Sequence, residues 1–461
     1  MSPPAGTSRR ALARFLSHYG MLGVLVLLGV FFSLVTLREQ HPSGASAARA
    51  LLERIPVDPG SPGAPSVIVV AARGGADDER FVAGLGAELR ERGYRRVESV
   101  TGEPAELLRA LGAIGEPQAA GLLIATVQTY APVVRGVLES VPALSGAALA
   151  TPPPFRWPTF LLAENLLNIA NQIAVIAIIA IGMTMVIVTG GIDLSVGSLI
   201  ALAAVLATGA IGQLGGAGAS GWGMAGASLA AIAVCGAIGA FSGLVITRFR
   251  VPPFIATLGM MQVASGIAYI LSQGRPIYQI PERFIVLGRG ADPFVGLPYA
   301  VLLMALLYLA AHLLMSRTPL GRYIYAIGGN AEAARLAGVA VGRVQMFVYI
   351  VSGLLAGLGG IVMASQLKSG APTYGLMYEL YVIAAVVVGG TSLNGGEGRI
   401  LGTLIGAFII AVIQNGMNLT NVESYTQKVV LGLVILGAVL LDRMRHAGWL
   451  RRRPALGRQG A

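Results

Sequence analysis

Nine residues stand out for their chemistry: Gly190-Gly191-Ile192-Asp193-Leu194-Ser195-Val196-Gly197-Ser198. They form a polar, glycine-rich island. Ile173–Thr189 before it and Leu199–Gly212 after it carry no charge, and Asp193 is the only formal charge between Glu164 and Arg248. A carboxylate in such a setting is costly in a bilayer and marks a functional position. The glycines allow the backbone to break from helix and turn. Non-helical backbone at membrane depth survives only where it is packed in protein or lines a wet cavity, so a broken helix beside a transport path is expected. Asp193 and Ser195 are also good caps for the helix that follows, and Gly190-Gly191 is a good helix end. The two readings are compatible.

A second island, Gly389-Gly390-Thr391-Ser392-Leu393-Asn394-Gly395-Gly396-Glu397-Gly398, follows the short apolar run Leu380–Val388. Each island is an apolar run, a Gly-Gly pair, polar residues and then a helix of small residues. Paired broken segments of this kind point to a binding path between repeats. The hydroxyl, amide and carboxylate groups of Asp193, Ser195, Ser198, Thr391, Ser392 and Asn394 are the candidates for lining it. Asn168, Asn171, Gln172, Gln414 and Asn415 could join them, but interhelical hydrogen bonding is the preferred reading for these amides.

The elements that must hold these groups are membrane helices. The chain has 461 residues, 55% hydrophobic and 12% charged, against about a quarter charged in soluble domains. Candidate spans are Tyr19–Leu37, Asn165–Thr189, Leu194–Ile211, Met224–Ile246, Phe254–Leu271, Leu297–Met315, Gln345–Met363, Leu380–Val388, Ile400–Met417 and Val429–Leu441. That makes ten, although Leu380–Val388 is too short to cross alone as an exposed helix. The first run has a signal peptide as its rival, since Ala45-Ser46-Ala47 resembles a cleavage site, but it is longer than a usual signal core of about 7–15 residues and reads as a retained span.

Arg38 to Arg156 differs in kind, with 13 of the 22 acidic residues. His41–Pro65 and Pro142–Pro158 read as linkers rich in Ala, Pro, Gly and Ser. Between them Val67–Val70, Arg95–Val100 and Leu122–Ala125 read as strands. Asp77–Arg92, Pro104–Ile114 and Pro132–Leu138 read as helices, with Phe81, Leu85 and Leu89 on one face. Three βα units suggest a small parallel α/β sheet. The overall expectation is an all-α polytopic membrane protein carrying an inserted α/β domain, divided as 1–37, 38–156, 157–442 and a basic tail, 443–461. The insert's strand–helix start resembles the first lobe of a periplasmic sugar-binding protein. A docking or spacer domain without its own ligand is the preferred reading.

Charge sets the orientation. With a cytoplasmic N-terminus, 16 basic residues fall in inner segments and five in short outer loops, which satisfies the positive-inside rule. Both termini are then cytoplasmic and the insert lies outside. The net charge of +11 follows these inner loops rather than marking a nucleic-acid surface. Cys235 is the only cysteine, which excludes an internal disulfide or a cysteine-built metal cluster. Neither Lys368 nor Lys428, the only lysines, follows a glycine, so no G-x-x-x-x-G-K-[ST] phosphate loop exists.

The longest cytoplasmic connection opens at Arg317 and continues through Val339. Asn330 can cap a short helix Ala331–Leu336, which Gly338 ends. A helix held between two spans could be gripped by a soluble motor, or could simply lie at the interface.

Three segments together resemble the permease subunit of bacterial ABC importers for monosaccharides, the ribose/xylose/galactose type: Gly182–Ser198 (GMTMVIVTGGIDLSVGS), Thr318–Val339 (TPLGRYIYAIGGNAEAARLAGV) and Ala384–Asn418 (AAVVVGGTSLNGGEGRILGTLIGAFIIAVIQNGMN). The likeness runs from about Asn165 to Asp442. It implies a bacterial inner-membrane, lipid-embedded transport subunit with no cofactor of its own. It further implies a second permease copy, a cytoplasmic ATPase that hydrolyses ATP, and a periplasmic sugar-binding protein. Gly321, Arg322, Gly329, Asn330, Glu332, Ala334, Arg335 and Gly338 would lie in the loop that meets the ATPase. The insert departs from the family, whose first two spans are usually joined by a short link. Rival functions are permeases for nucleosides, branched-chain amino acids or an autoinducer, an ion-coupled transporter, which would want more buried carboxylates, and a receptor, for which the tail is too short.

Overall fold

The protein is described by a computed structural model over residues 5–61, 63–112, 121–141, 144 and 146–446. It forms two compact units, Leu37–Thr159 and the remainder of the chain on either side. The basic residues of the expected tail beyond His446, and the end of the expected helix Pro104–Ile114, lie outside the described residues.

The chain opens with α1 (Ala5–Val35). The inserted unit then runs β1 (Leu37–Gln40), α2 (Gly44–Leu52), β2 (Val67–Ala72), α3 (Ala76–Glu91), β3 (Val97–Thr101), α4 (Pro104–Gly112), β4 (Leu122–Thr126), α5 (Ala131–Ser140), β5 (Ala148–Ala150) and β6 (Phe155–Pro158). The four inner strands form a sheet in the order β3-β2-β4-β5, all parallel. The central strand β2 is buried at every position, as expected where both faces of a parallel sheet are covered. Phe81, Leu85 and Leu89 of α3 are buried on the spacing read from the sequence. The first linker is corrected. Gly44–Leu52 is a helix, because Ala47, Ala48, Leu51 and Leu52 make one apolar face that the core takes up. The second linker likewise contains β5 and β6. β6 pairs antiparallel with β1, Leu37 opposite Pro158 and Gln40 opposite Phe155, so the unit begins and ends at one place, as an insertion requires.

The other unit is helical. After α1 come α6 (Ala163–Val188), α7 (Val196–Gln213), α8 (Gly221–Phe249), α9 (Pro253–Ser272), α10 (Val286–Arg289), α11 (Tyr299–Arg317), α12 (Pro319–Gly329), α13 (Ala331–Leu336), α14 (Val341–Leu367), α15 (Tyr378–Val388), α16 (Ile400–Leu419) and α17 (Ser424–His446). Among the described residues, α6, α7, α8, α9, α11, α14 and α16 are seven helices long and apolar enough to cross a membrane. Gly20–Val35, Tyr378–Val388 and Ser424–Leu440 are shorter apolar stretches at the places of the other three expected spans. α6 is the axis of the bundle. Its apolar stretch is 89% buried, against 17% for α9 and 28% for α11 at the periphery.

Lipid solvates apolar side chains as well as a protein interior does, so helices here must associate by close packing. Small residues make this possible. A Cβ on Gly353 of α14 would lie 2.3 Å from the Cys235 carbonyl of α8, and one on Gly239 would lie 2.3 Å from the Tyr349 carbonyl of α14. Phe32 of α1 fills the space over Gly416 of α16 in the same way. Gly353→Leu is expected to cost about 1–3 kcal/mol and to lower the melting temperature of the detergent-solubilised protein. Gly259→Leu on α9, where nothing lies within 4 Å, should leave it unchanged.

Candidate functional site

The first island breaks the chain in two steps. At the end of α6, Gly190 takes φ of +81°. Its N–H donates to Ile187 O at 2.9 Å, and that of Gly191 to Val186 O at 3.0 Å. This is the Schellman pattern, which satisfies carbonyls a helix end leaves open. The chain then turns back into the bundle. Asp193 Oδ1 accepts from the backbone N–H of Ser195 at 3.0 Å and from its hydroxyl at 2.6 Å. Oδ2 accepts from the Ser352 hydroxyl at 2.7 Å. Ser352 is roughly 16 Å along α14 from Val341, at 1.5 Å per residue, so Asp193 lies deep within the unit. It is 2% exposed. The carboxylate therefore shapes the entry to α7 and ties it to α14.

The second island repeats the device. Gly390 takes φ of +89°, its N–H donates to Val387 O at 2.9 Å, and that of Thr391 to Val386 O at 3.2 Å. Leu393 stands where the first island has Asp193, so only one island carries a charge at this place. Thr391 and Ser392 are buried, as is Ser195; Ser198 is half-buried and Asn394 exposed. Thr391 Oγ1 has no hydrogen-bond partner among the described residues. The second island reaches the end of α6, where Gly396 N donates to Val188 O at 2.9 Å.

The connection α12–α13 meets both islands at this junction. A Cβ on Gly328 would lie 1.7 Å from Val188 O and 2.3 Å from Gly396 N. A Cβ on Gly395 would lie 3.1 Å from each of Gly190 N, Val188 O and Gly328 O. The Tyr325 hydroxyl donates to Gly398 O at 2.8 Å. Burial raises this phenol above its ordinary value, with Arg399 pulling the other way.

The remaining expected loop residues are local framework or surface. Thr318 caps α12 at Gly321, whose Cβ would collide with Met315 O. Asn330 Oδ1 accepts from Ala333 N at 2.9 Å and caps α13. Glu332 pairs with Arg335 on the surface. Gly338, with φ of +87°, ends the helix. Gly329 and Arg322 are exposed. Ala334 is only 5% exposed and faces its own chain, whereas Leu336 is 82% exposed. Leu336 is the residue that sequence reading passed over. Its signal was a large apolar side chain ending a helix of otherwise small or charged residues.

At the opposite end of α6 a cavity of about 230 Å³ opens between α6, α14, α15 and α16. Gln172, Gln366, Gln414 and Tyr378 supply its polar wall. The amide residues thus divide. Asn165 and Asn415 bond each other, and Asn171 Nδ2 donates to Gly288 O at 3.0 Å, all between elements. Asn168 is exposed. Gln172 and Gln414 face the cavity instead. Among the described residues no group of three or more His, Cys, Asp or Glu could hold a metal ion. Because Asp193 and Ser352 share one hydrogen bond, Asp193→Ala and Ser352→Ala are expected to be non-additive. A double-mutant cycle on detergent melting should return about 0.5–3 kcal/mol of coupling, and additivity would refute the tie.

Residues 165–439 match the family described as branched-chain amino acid transport system / permease component. The chain is 46% identical over 292 residues to the ribose import permease protein RbsC of Bacillus subtilis, covering 63% of this chain and 88% of that protein. It is 38% identical over 289 residues to the L-arabinose transport system permease protein AraH of Escherichia coli, covering 63% and 85%. It is 36% identical over 289 residues to the L-arabinose ABC transporter permease protein AraH of Azospirillum brasilense, covering 63% and 83%. No solved structure matches the chain. The matched stretch contains both islands, the connection α12–α13 and every helix around the cavity, and on that ground the chain belongs to this family of permease components, a transport subunit and not an enzyme.

Proposed function

We propose that the chain is the membrane-spanning permease of an ABC importer for a monosaccharide such as ribose or xylose, driven by a separate ATPase subunit. The observation that carries this reading is the 46% identity to a ribose import permease over 88% of that protein's length. A periplasmic sugar-binding protein delivers the solute, a second permease copy completes the pore, and ATP is hydrolysed by the partner, so this chain holds no cofactor. All ten apolar helices cross the bacterial inner membrane. Both termini and α12–α13 are cytoplasmic, as the positive-inside rule requires, and Leu37–Thr159 lies in the periplasm, where it assists delivery.

In this orientation the cavity lies on the periplasmic side and the islands on the way to the cytoplasm. Asp193, Ser195, Ser198, Thr391, Ser392 and Asn394 wall the inner part of the path. Four of them are enclosed in the conformation described, so the path is shut there and opens when the islands part. The ATPase grips α13 through Leu336, with Gly321, Arg322, Gly329, Asn330, Glu332, Ala334, Arg335 and Gly338 shaping the loop. Movement of α12 reaches both islands through Gly328, because no side chain intervenes to absorb it.

Radiolabelled ribose uptake in vesicles holding the chain, the ATPase and the binding protein tests this. Uptake should require ATP and survive an ionophore. Leu336→Glu, at an exposed position, should lower it by about tenfold or more with melting unchanged. Uptake without ATP that collapses with the ionophore would refute the ABC reading.

A further inference from the structure

We infer that the cavity between α6, α14, α15 and α16 is a solute-binding site for an uncharged, polyhydroxylated molecule, recognised by Gln172, Gln366 and Gln414. The inference rests on the permease reading and deepens it, because it assigns solute recognition to residues outside the islands.

The polar groups of this wall are amides and a phenol, and none of the residues lining it is charged. The side chains of Gln172 and Gln414 make no hydrogen bond to protein among the described residues, and the Gln366 side chain uses one N–H on Asn171 O at 2.8 Å. Each amide carries two N–H donors and a carbonyl acceptor. Three amides around one space can therefore answer a ring of hydroxyls, each of which both donates and accepts. Tyr378 adds a phenol to the same wall. At about 30 Å³ per water the cavity holds on the order of eight waters, which suits a monosaccharide. Met363, Ile173 and Ile176 fill the wall between the amides and keep it apolar, the usual composition of a small-molecule site.

The same wall disfavours an amino acid. A zwitterion needs a counter-charge or an open helix start for its carboxylate. The helix start at this cavity, that of α15, is already closed. Tyr378 N donates to Gly375 O at 3.0 Å and Leu380 N to Met377 O at 3.2 Å. Asp193 and Ser195 of the first island are poorer candidates for recognition, since both oxygens of Asp193 and the Ser195 and Ser352 hydroxyls are committed to one another.

The test is ATP-driven uptake in vesicles holding the full chain with its ATPase and binding protein. D-ribose, L-arabinose, 2-deoxy-D-ribose and L-leucine serve as probes. Wild type should import ribose and not leucine. Failure to import either ribose or arabinose would overturn the monosaccharide reading itself, before any variant is compared. With wild-type import established, Gln172→Leu and Gln414→Leu should each lower ribose uptake at sub-saturating concentration by about fivefold or more. Each should also shift the deoxyribose-to-ribose rate ratio by about threefold or more, because a lost amide no longer distinguishes a hydroxyl that is present from one that is absent. A packing defect would slow both sugars alike. Ratios equal to wild type in both variants would overturn the assignment of the cavity while leaving the permease reading standing.

Discussion

The contact on which the helical unit depends is the meeting of three backbones at Gly328, Val188 and Gly395-Gly396. These segments are far apart in the chain, yet a single methyl at Gly328 would lie 1.7 Å from the Val188 carbonyl. Nothing larger than hydrogen fits between them. A contact made through long side chains could absorb displacement by changing rotamers. A contact made through peptide groups moves with the helices that carry it. The junction joins the end of α6, the loop that opens α16 and the end of α12, so a shift of the connection displaces both broken segments together.

The second constraint is solvation. In a bilayer every backbone polar group must be satisfied within the protein, and each island meets this requirement at its helix end with the same Schellman pattern. The oxygens of Asp193 accept from one backbone N–H and two hydroxyls rather than from a cationic side chain. That arrangement satisfies the carboxyl group where a buried ion pair would require a second costly desolvation. The amides of the cavity are under no such obligation, since they face open space. Polar residues held by protein and polar residues facing a cavity thus occupy opposite ends of α6, roughly 24 Å apart for the sixteen residues between Gln172 and Val188.

The inserted unit has its own core, built on a parallel sheet whose central strand is wholly buried. Its first and last strands pair with each other. A unit so closed on itself can occupy a connection between two helices without altering how the helices pack, which accounts for a family likeness that begins only at residue 165.

Sequence alone determined the helical membrane class, the two islands, the βα order of the insert and the caps at Asn330 and Gly338. These rest on local causes: runs of apolar residues, the left-handed freedom of glycine, and side chains that reach their own neighbouring N–H groups. The helix Gly44–Leu52 was hidden by its small residues, which read as linker until the core against which they pack is known. Tertiary structure alone decided which polar groups face inward or outward. Ser352 gave no signal as a partner of Asp193, because the pairing joins helices remote in sequence. Ala334 and Leu336 are equally helical, and only packing turns one inward and the other to the surface. The glutamines could not be told from the asparagines as residue types. Asn165, Asn171 and Asn415 meet partners across helix boundaries, while Gln172 and Gln414 meet a space, and that difference belongs to the arrangement of four helices around it.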